Sequence, residues 1–257
     1  MEDKSFLDIG DTLLSEVLVE YTSDDVVNKI KETSSAKQSS QPFLVNMKEV
    51  NCSRELLIEY LQLAMDDFGF CVMDNFLSDE DSRKVCLECE ALSLIPGLLE
   101  DAGKYGEEDN KINTFRSDLI CWLNGSEKLC ASINTLNFTF NILVSSLLKN
   151  RTRVTHKSHT QLSYFPAKSF GYKHHIDNPN NNGRLLTVIY FCNKDYDVTK
   201  DGGIFRCYIK NNTKYVDLEP KYNRAFIHWS DRRIMKETLP CNRNIFSLTS
   251  WYFDSLV

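Results

Sequence analysis

The second half of this 257-residue chain constrains the fold most strongly, because it is a succession of short apolar segments separated by turn residues. Such a succession is typical of a β-sandwich or a jelly roll. The predicted strands cover residues 159–165, 172–176, 185–192, 203–209, 213–217, 224–229 and 244–253. The turn residues that punctuate this half are Gly202-Gly203, Asn211-Asn212, Pro220 and Pro240.

The first half carries helical signals instead. Ser53 is a suitable N-cap for a helix over residues 54–68, where apolar residues recur at helical spacing, and Gly69 would end that helix. Further helices are predicted up to about residue 92 and over about 130–148, with short strands at 70–73 and 119–121. Helices followed by strands predict an α+β fold in which N-terminal helices support a β core over about 151–257.

The domain organisation follows from composition. Residues 1–41 are polar and end in a Ser-rich stretch, so we expect a flexible or helical arm with a linker. Residues 42–257 are predicted to form one domain. Residues 93–115 form a long polar loop with the character of a lid.

The net charge of −6 is unevenly distributed along the chain. Residues 1–127 carry 11 basic and 27 acidic side chains, whereas residues 128–257 carry 19 basic and 9 acidic ones. Two explanations remain open: the basic half attracts an acidic peptide, or the two halves neutralise each other in the fold. We expect no nucleic acid partner and, since no apolar run reaches about 18 residues, no membrane partner. The first residues lack a secretory signal and the nine cysteines are scattered, which predicts a cytoplasmic or nuclear protein.

The clearest candidate for chemistry is His175-x-Asp177. Side chains alternate along a strand, so these two point the same way and can bind one metal ion together. A second, distant His would complete the 2-His-1-carboxylate set of Fe(II) oxygenases. His228 is the only His after His175 in the sequence, but a core or pocket-lining role is its simpler explanation. The pair itself could equally be a polar turn at the surface.

Several longer motifs surround this pair, and together they resemble the HIF prolyl hydroxylases, which are oxygen-sensing Fe(II)/2-oxoglutarate dioxygenases. The resemblance covers about residues 54–257 and implies a double-stranded β-helix (jelly roll) core. The matching motifs are Gly69-Phe-Cys-Val-Met-Asp-Asn-Phe-Leu77, Arg116-Ser-Asp-Leu-Ile-Cys-Trp122, His175-Ile-Asp-Asn-Pro-Asn180, Asn193-Lys-Asp-x-Asp197, Gly202-Gly-Ile, Asp217-Leu-Glu-Pro-Lys221, Trp229-Ser-Asp-Arg-Arg233 and Trp251-Tyr-Phe-Asp254.

The resemblance assigns roles to individual residues. It implies Fe(II), 2-oxoglutarate and ascorbate as cofactors, with His175 and Asp177 as iron ligands. Lys236 stands at the position of the distal His, and Ile245 stands where an Arg would bind the distal carboxylate of 2-oxoglutarate. The co-substrate pocket would further include Phe165 and Phe191, at positions where the family has tyrosines, together with Thr249 and Trp251. Asp118 and Arg184 would contact the protein substrate.

These changes weaken the expected chemistry. Deprotonating Lys236 at pH 7 so that it could bind a metal costs roughly 4–5 kcal/mol. A carboxylate facing Ile245 would lose a buried charged partner, which costs about 3–5 kcal/mol. Arg243 lies two residues upstream on the same strand face and could anchor the co-substrate instead.

The sequence therefore predicts a diverged HIF prolyl hydroxylase-like protein, with lost or reduced catalysis, that binds a protein or peptide. The alternative is an active peptidyl-proline 4-dioxygenase that hydroxylates a proline. In either case we expect a proline-containing, acidic, HIF-α-like segment as partner. We further expect that Lys236 forms an ion pair with Asp177 as a built-in cation, and that no His besides His175 approaches this centre.

Overall fold

The computed structural model describes residues 43–105, 115–209 and 214–254. In these ranges the helices are α1 (Arg54–Phe68), α2 (Asp79–Ser93), α3 (Ala131–Leu147) and the short α4 (Val198–Asp201). The early strands are β1 (Leu44–Asn46), β2 (Phe70–Asp74), β3 (Glu100–Asp101), β4 (Leu119–Leu123), β5 (His156–Lys157) and β6 (Thr160–Phe165). The later strands are β7 (Tyr172–His175), β8 (Arg184–Phe191), β9 (Phe205–Ile209), β10 (Lys214–Leu218), β11 (Arg224–Trp229), β12 (Met235–Thr238) and β13 (Ile245–Phe253).

Helix α1 begins and ends where the sequence predicts. The Ser53 side chain accepts a hydrogen bond from the Leu56 N–H at 3.3 Å, which satisfies a free donor of the first turn. Gly69 follows the helix with a φ of 83°, a left-handed conformation that favours glycine, and its N–H bonds to the Met65 carbonyl. The chain then turns directly into the fully buried strand β2.

The strands form two sheets that face each other as a jelly roll. The larger sheet has the strand order β1-β2-β11-β8-β13-β6-β4-β3, with β5 paired to the end of β13. The smaller sheet has the order β10-β9-β12-β7. Neighbouring strands are antiparallel except for β1 and β2. The predicted α+β class with a jelly-roll core is confirmed.

The helices cover the outer face of the larger sheet. Alternate side chains of β13 show this, since Leu248 and Tyr252 belong to the main core while Thr249 and Trp251 face the smaller sheet. The Tyr252 hydroxyl donates to Asn141 of α3 at 2.7 Å. The helices therefore support one face of the sheet and leave its other face free to line a site.

The structure differs from the sequence-based expectation in a few elements. Strand β12 was not predicted, because Met-Lys-Glu-Thr carries no strand-like apolar alternation, yet it lies between β9 and β7. Part of the predicted lid is ordered, since β3 pairs with β4. The predicted arm at 1–41 lies outside the described residues, as do residues 106–114 of the lid. No helix in the described ranges is long and apolar enough to span a bilayer.

Candidate functional site

A cavity of about 280 Å³ lies between the two sheets. Side chains from one face of β13 and one face of β6 line it, because cross-strand neighbours in a sheet share a face. Ten residues that the sequence analysis singled out line this cavity: Asp118, Phe165, His175, Asp177, Arg184, Phe191, Lys236, Ile245, Thr249 and Trp251. Arg243 is not among the lining residues.

Asp177 is the centre of the charged part of the cavity. Its Oδ2 lies 2.6 Å from the Lys236 Nζ, and both side chains are nearly inaccessible, at 6% and 5% exposure. This contact is an ion pair without the geometry of a directed hydrogen bond. The Thr187 hydroxyl donates a hydrogen bond to the same oxygen at 2.6 Å. The expected contact between Lys236 and the carboxylate is therefore present.

Strand pairing explains how these side chains meet. Lys236 on β12 is the cross-strand neighbour of His175 on β7, so both belong to the smaller sheet. Thr187 on β8 is the neighbour of His228 on β11, so both belong to the larger sheet. Asp177 follows β7 and lies between the two sheets, where it contacts all four residues.

The position of His228 contradicts the expectation that no His besides His175 approaches the centre. Its Nε2 lies 3.6 Å from Asp177 Oδ2, close to the 3.7 Å that separates the His175 Nε2 from Oδ1. The prediction was wrong because the pairing register of the strand that carries His228 cannot be seen in the sequence. The register of β11 against β8 places His228 on the same face as Thr187, which bonds to Asp177.

Both imidazoles are neutral and have fixed orientations. The Nδ1–H of His175 donates to the Lys173 carbonyl at 2.9 Å, and that of His228 donates to the Trp229 carbonyl at 2.7 Å. Their Nε2 atoms are therefore acceptors that face Asp177. Burial lowers the pKa of each imidazole to about 3, and the charge of Lys236 adds to this effect.

The carboxyl of Asp177 is ionised despite its burial. Burial by itself raises its pKa, but the charge of the Lys236 ammonium more than offsets this and holds the pKa well below its usual range. The centre thus consists of one anion, one cation and two neutral acceptors.

These residues do not fit a divalent iron ion. The Lys236 ammonium already neutralises Asp177 and lies at ion-pair distance from the oxygen that a metal would need. Across 43–105, 115–209 and 214–254, no three His, Cys, Asp or Glu side chains are arranged to hold a metal ion. An ammonium is also not among the ligands of such sites.

The opposite end of the cavity is apolar. Phe165, Cys241 and Ile245 form a small buried cluster, with Tyr172 and Tyr196 packed against it. Phe191 and Phe205 meet edge to face nearby, with ring centroids 5.6 Å apart. This end therefore offers hydrocarbon, not charge, to the distal carboxylate of a dicarboxylic co-substrate.

The interpretation of Arg243 as a substitute anchor is wrong. Its guanidinium donates to the carbonyls of Lys194 and Asp195 at 2.9 and 2.7 Å and contacts Asp201 at 3.3 Å. The residue lies in the loop before β13, so the alternation of side chains within the strand does not apply to it. Arg243 secures a loop and does not reach the cavity.

The mouth of the cavity is lined by charged and aromatic residues. Arg116 binds Asp118 through two bonds of 2.7 and 2.6 Å and lies 4.3 Å above the Tyr172 ring. Arg184 donates to the Asp177 carbonyl and lies 4.9 Å above the Trp251 ring. The sequence analysis missed Arg116 and Tyr172 as site residues, although Arg116 begins one of the matching motifs.

Comparisons with known proteins support the jelly-roll fold and identify similar proteins. Residues 160–253 match the 2OG-Fe(II) oxygenase superfamily. The chain is 33% identical to rat Egl nine homolog 1 over 204 residues, covering 78% of this chain and 60% of that protein. It is 31% identical to rat prolyl hydroxylase EGLN3, also over 204 residues, covering 78% of this chain and 85% of that protein.

A solved structure is also similar. A prolyl hydroxylase from Trichoplax adhaerens, in complex with a hypoxia inducible factor oxygen degradation domain peptide fragment, superposes with a TM-score of 0.70 at 30% identity. The match covers 78% of this chain and 90% of the other. The chain spans only 28% of the Caenorhabditis elegans hypoxia-inducible factor prolyl hydroxylase, and 60% or less of the Egl nine homolog 1 proteins.

Proposed function

This chain belongs to the HIF prolyl hydroxylase family of 2OG-Fe(II) oxygenases, and from that premise we propose that it is a member with lost or much reduced catalysis that acts as a peptide-binding module. The observation that carries the proposal is the ion pair between the Lys236 Nζ and Asp177 Oδ2 at 2.6 Å. A cation supplied by the chain itself takes the part of the metal.

Iron would have to displace this cation. Lys236 would either lose its proton, at roughly 4–5 kcal/mol at pH 7, or move out of a site where it is 5% exposed. Asp177 would meanwhile lose the charge that holds its pKa low. The displacement of Lys236 and the loss of its charge beside Asp177 both weaken iron binding relative to a site built from two imidazoles and a free carboxylate.

The co-substrate faces a second penalty. The distal carboxylate of 2-oxoglutarate would be buried against Phe165, Cys241 and Ile245, with no guanidinium from Arg243. A buried charge without a partner costs about 3–5 kcal/mol. The two penalties act on different ligands, so they support the loss of turnover independently.

The residues at the mouth of the cavity support the peptide-binding part of the proposal. Arg116, Asp118 and Arg184 are fixed at the mouth, and Phe115 and Trp122 beside them are 45% and 41% exposed. Exposed aromatic rings next to arginines are typical of protein interfaces. Our proposed partner is a proline-containing acidic segment, met in the cytoplasm or the nucleus. The Trichoplax neighbour, which is bound to a hypoxia inducible factor peptide fragment, supports a partner of this kind.

One observation favours a second candidate, an active peptidyl-proline 4-dioxygenase. His175 and His228 both lie within 3.7 Å of the Asp177 carboxylate, so a rearranged site with Lys236 moved aside could supply two imidazole nitrogens and a carboxylate. This function requires the site to rearrange and another anchor for 2-oxoglutarate. It therefore makes the opposite prediction for iron binding.

The test is an anaerobic Fe(II) titration followed by a coupled assay of succinate release with 2-oxoglutarate. We expect no stoichiometric iron binding and no succinate above background for the wild-type protein. Lys236→His should gain iron binding, and Lys236→His with Ile245→Arg should also gain 2-oxoglutarate binding. A HIF-type proline peptide should bind the wild-type protein equally well with and without a chelator.

Two results would refute the proposal. Stoichiometric Fe(II) binding with succinate release by the wild-type protein would establish the enzyme. Failure of the peptide to bind would leave the protein without the proposed binding activity. Asp118→Asn serves as the matched variant for the peptide, because it removes the buried carboxylate that holds Arg116 in place and does not contact Lys236.

A further inference from the structure

The cavity changes character in steps along β13. Ile245, Ser247, Thr249 and Trp251 are alternate residues of this strand and all line the cavity. The register pairs Ile245 with Phe165 at one end and Thr249 with Gln161 further along. The cavity therefore runs from an apolar end, through a polar middle, to the end that holds Trp251 and the charged centre.

Two buried donors at the polar end have no hydrogen-bond partner within the described residues. They are the Lys236 Nζ, whose ion pair with Asp177 occupies at most one of its three protons, and the Trp251 Nε1. The two residues are 4% and 8% exposed, and both line the cavity. Buried donors are nearly always satisfied in folded proteins, so an unpaired donor facing a cavity points to a ligand with acceptor atoms.

The charge of the lining points in the same direction. Three cations and two anions line the cavity: Arg116, Arg184, Lys236, Asp118 and Asp177. Asp177 and Asp118 are each paired, with Lys236 and Arg116 respectively. The positive charge of Arg184 therefore remains without an acidic partner among these residues, which suits a ligand with a single negative charge.

We propose that this cavity binds a monocarboxylate with a branched apolar tail, in place of a dicarboxylate. The carboxylate would accept from the Lys236 Nζ and the Trp251 Nε1, while the tail would lie against Phe165, Phe191 and Ile245. The inference rests on the proposed function in one respect, namely that Lys236 remains in the centre and no metal occupies it. It adds the chemical class of the ligand.

Size is consistent with such a ligand. A volume of about 280 Å³ lies at the lower limit of small-molecule pockets, which are typically about 300–1,000 Å³, so a short acid fits and a peptide does not. The apolar end discriminates against a second carboxylate, because Phe165 and Ile245 offer a buried anion neither a charge nor a side-chain hydrogen bond.

The test compares three probes by isothermal titration calorimetry with a chelator present. They are 5-methylhexanoate, glutarate, which replaces the branched end by a second carboxylate, and 5-methylhexanamide, which removes the charge of the head. We expect 5-methylhexanoate to bind, glutarate to bind at least ~100-fold more weakly, and the amide at least ~10-fold more weakly.

Variants of Ile245 and Lys236 test which residue contacts each end of the ligand. Ile245→Arg should reverse the preference, so that glutarate binds more tightly than 5-methylhexanoate. Lys236→Met should abolish the advantage of the acid over the amide. Lys157→Met is the matched control, since this partly buried lysine lies outside the cavity and bonds to Thr160 and a backbone carbonyl. It should change neither affinity.

The outcomes separate this inference from the proposed function. If glutarate binds as well as 5-methylhexanoate, or if neither binds, the inference is overturned even when iron fails to bind. If the wild-type protein binds Fe(II) stoichiometrically, the metal-free centre on which both depend is refuted. The wild-type probe series decides the matter even where a variant fails to fold.

Discussion

Replacing Lys236 by Met tests the built-in cation most directly. Met is similar in length to Lys but has no charge, so the substitution leaves the 6%-exposed Asp177 carboxylate with Thr187 as its directed hydrogen-bond partner. Removing one member of a buried ion pair typically destabilises a protein by about 3–5 kcal/mol. For a domain of this size about 1 kcal/mol corresponds to ~2–4 °C, so we expect Tm to fall by roughly 10 °C.

The assay is urea unfolding at pH 7, with Lys157→Met as the control. The double variant Lys236→Met with Asp177→Asn removes both charges and should recover much of the loss. A double-mutant cycle then gives the coupling energy of the pair. A loss below about 1 kcal/mol for Lys236→Met, or a cycle without coupling, would show that this ion pair does not hold the centre together.

The pH dependence of the free energy of unfolding provides an independent check, because the sign of the Asp177 contribution depends on Lys236. In the wild-type protein Asp177, His175 and His228 all have lower pKa values than in the unfolded chain, the imidazoles falling from 6.5 to about 3. The unfolded chain therefore binds more protons between about pH 3 and 6.5, and the free energy of unfolding falls on acidification. In Lys236→Met, burial raises the Asp177 pKa without the opposing ammonium. The contribution of Asp177 should change sign, so that it destabilises the fold as pH rises.

Three further predictions concern single substitutions at other residues. His228→Phe should reduce the stability lost between pH 7 and pH 4 by up to ~3 kcal/mol in urea titrations, because the buried imidazole no longer has to stay neutral. Asp74→Ala should cost about 3–5 kcal/mol by the same assay, since Asp74 neutralises the buried Arg224 through bonds of 2.6 and 2.9 Å. Gly171→Ala should lower Tm by several degrees, because its φ is 84° and an added Cβ would overlap the Thr238 carbonyl.

The sequence predicts the elements with strong local signals. Helix α1 is an example, since its cap at Ser53 and its end at Gly69 are both properties of single residues. Most strands of the core also follow from the sequence, because apolar segments and turn residues alternate along it. The cavity-lining positions were identified mainly through the resemblance of the motifs to the family, and ten of them do line the cavity.

What the sequence could not predict depends on pairing between distant strands. Strand β12 exists because β7 and β9 pair with both its edges, not because of its own composition. His228 approaches Asp177 through the register of β11 against β8, which the sequence does not contain. Arg243 was expected to share a strand face with Ile245. Strand β13 begins only at Ile245, so the alternation of side chains does not extend to Arg243.

The position of Lys236 also bears on how the two sheets move relative to each other. Its backbone belongs to the smaller sheet, and its ammonium pairs with a carboxylate that Thr187 of the larger sheet also holds. Separating the sheets would admit more water to a charge pair that is now only 5–6% exposed, so local opening at this edge is coupled to loss of the pair. Amide hydrogen exchange in β7 and β12 should therefore be slow for such short strands, and Lys236→Met should accelerate it there before it affects the helices.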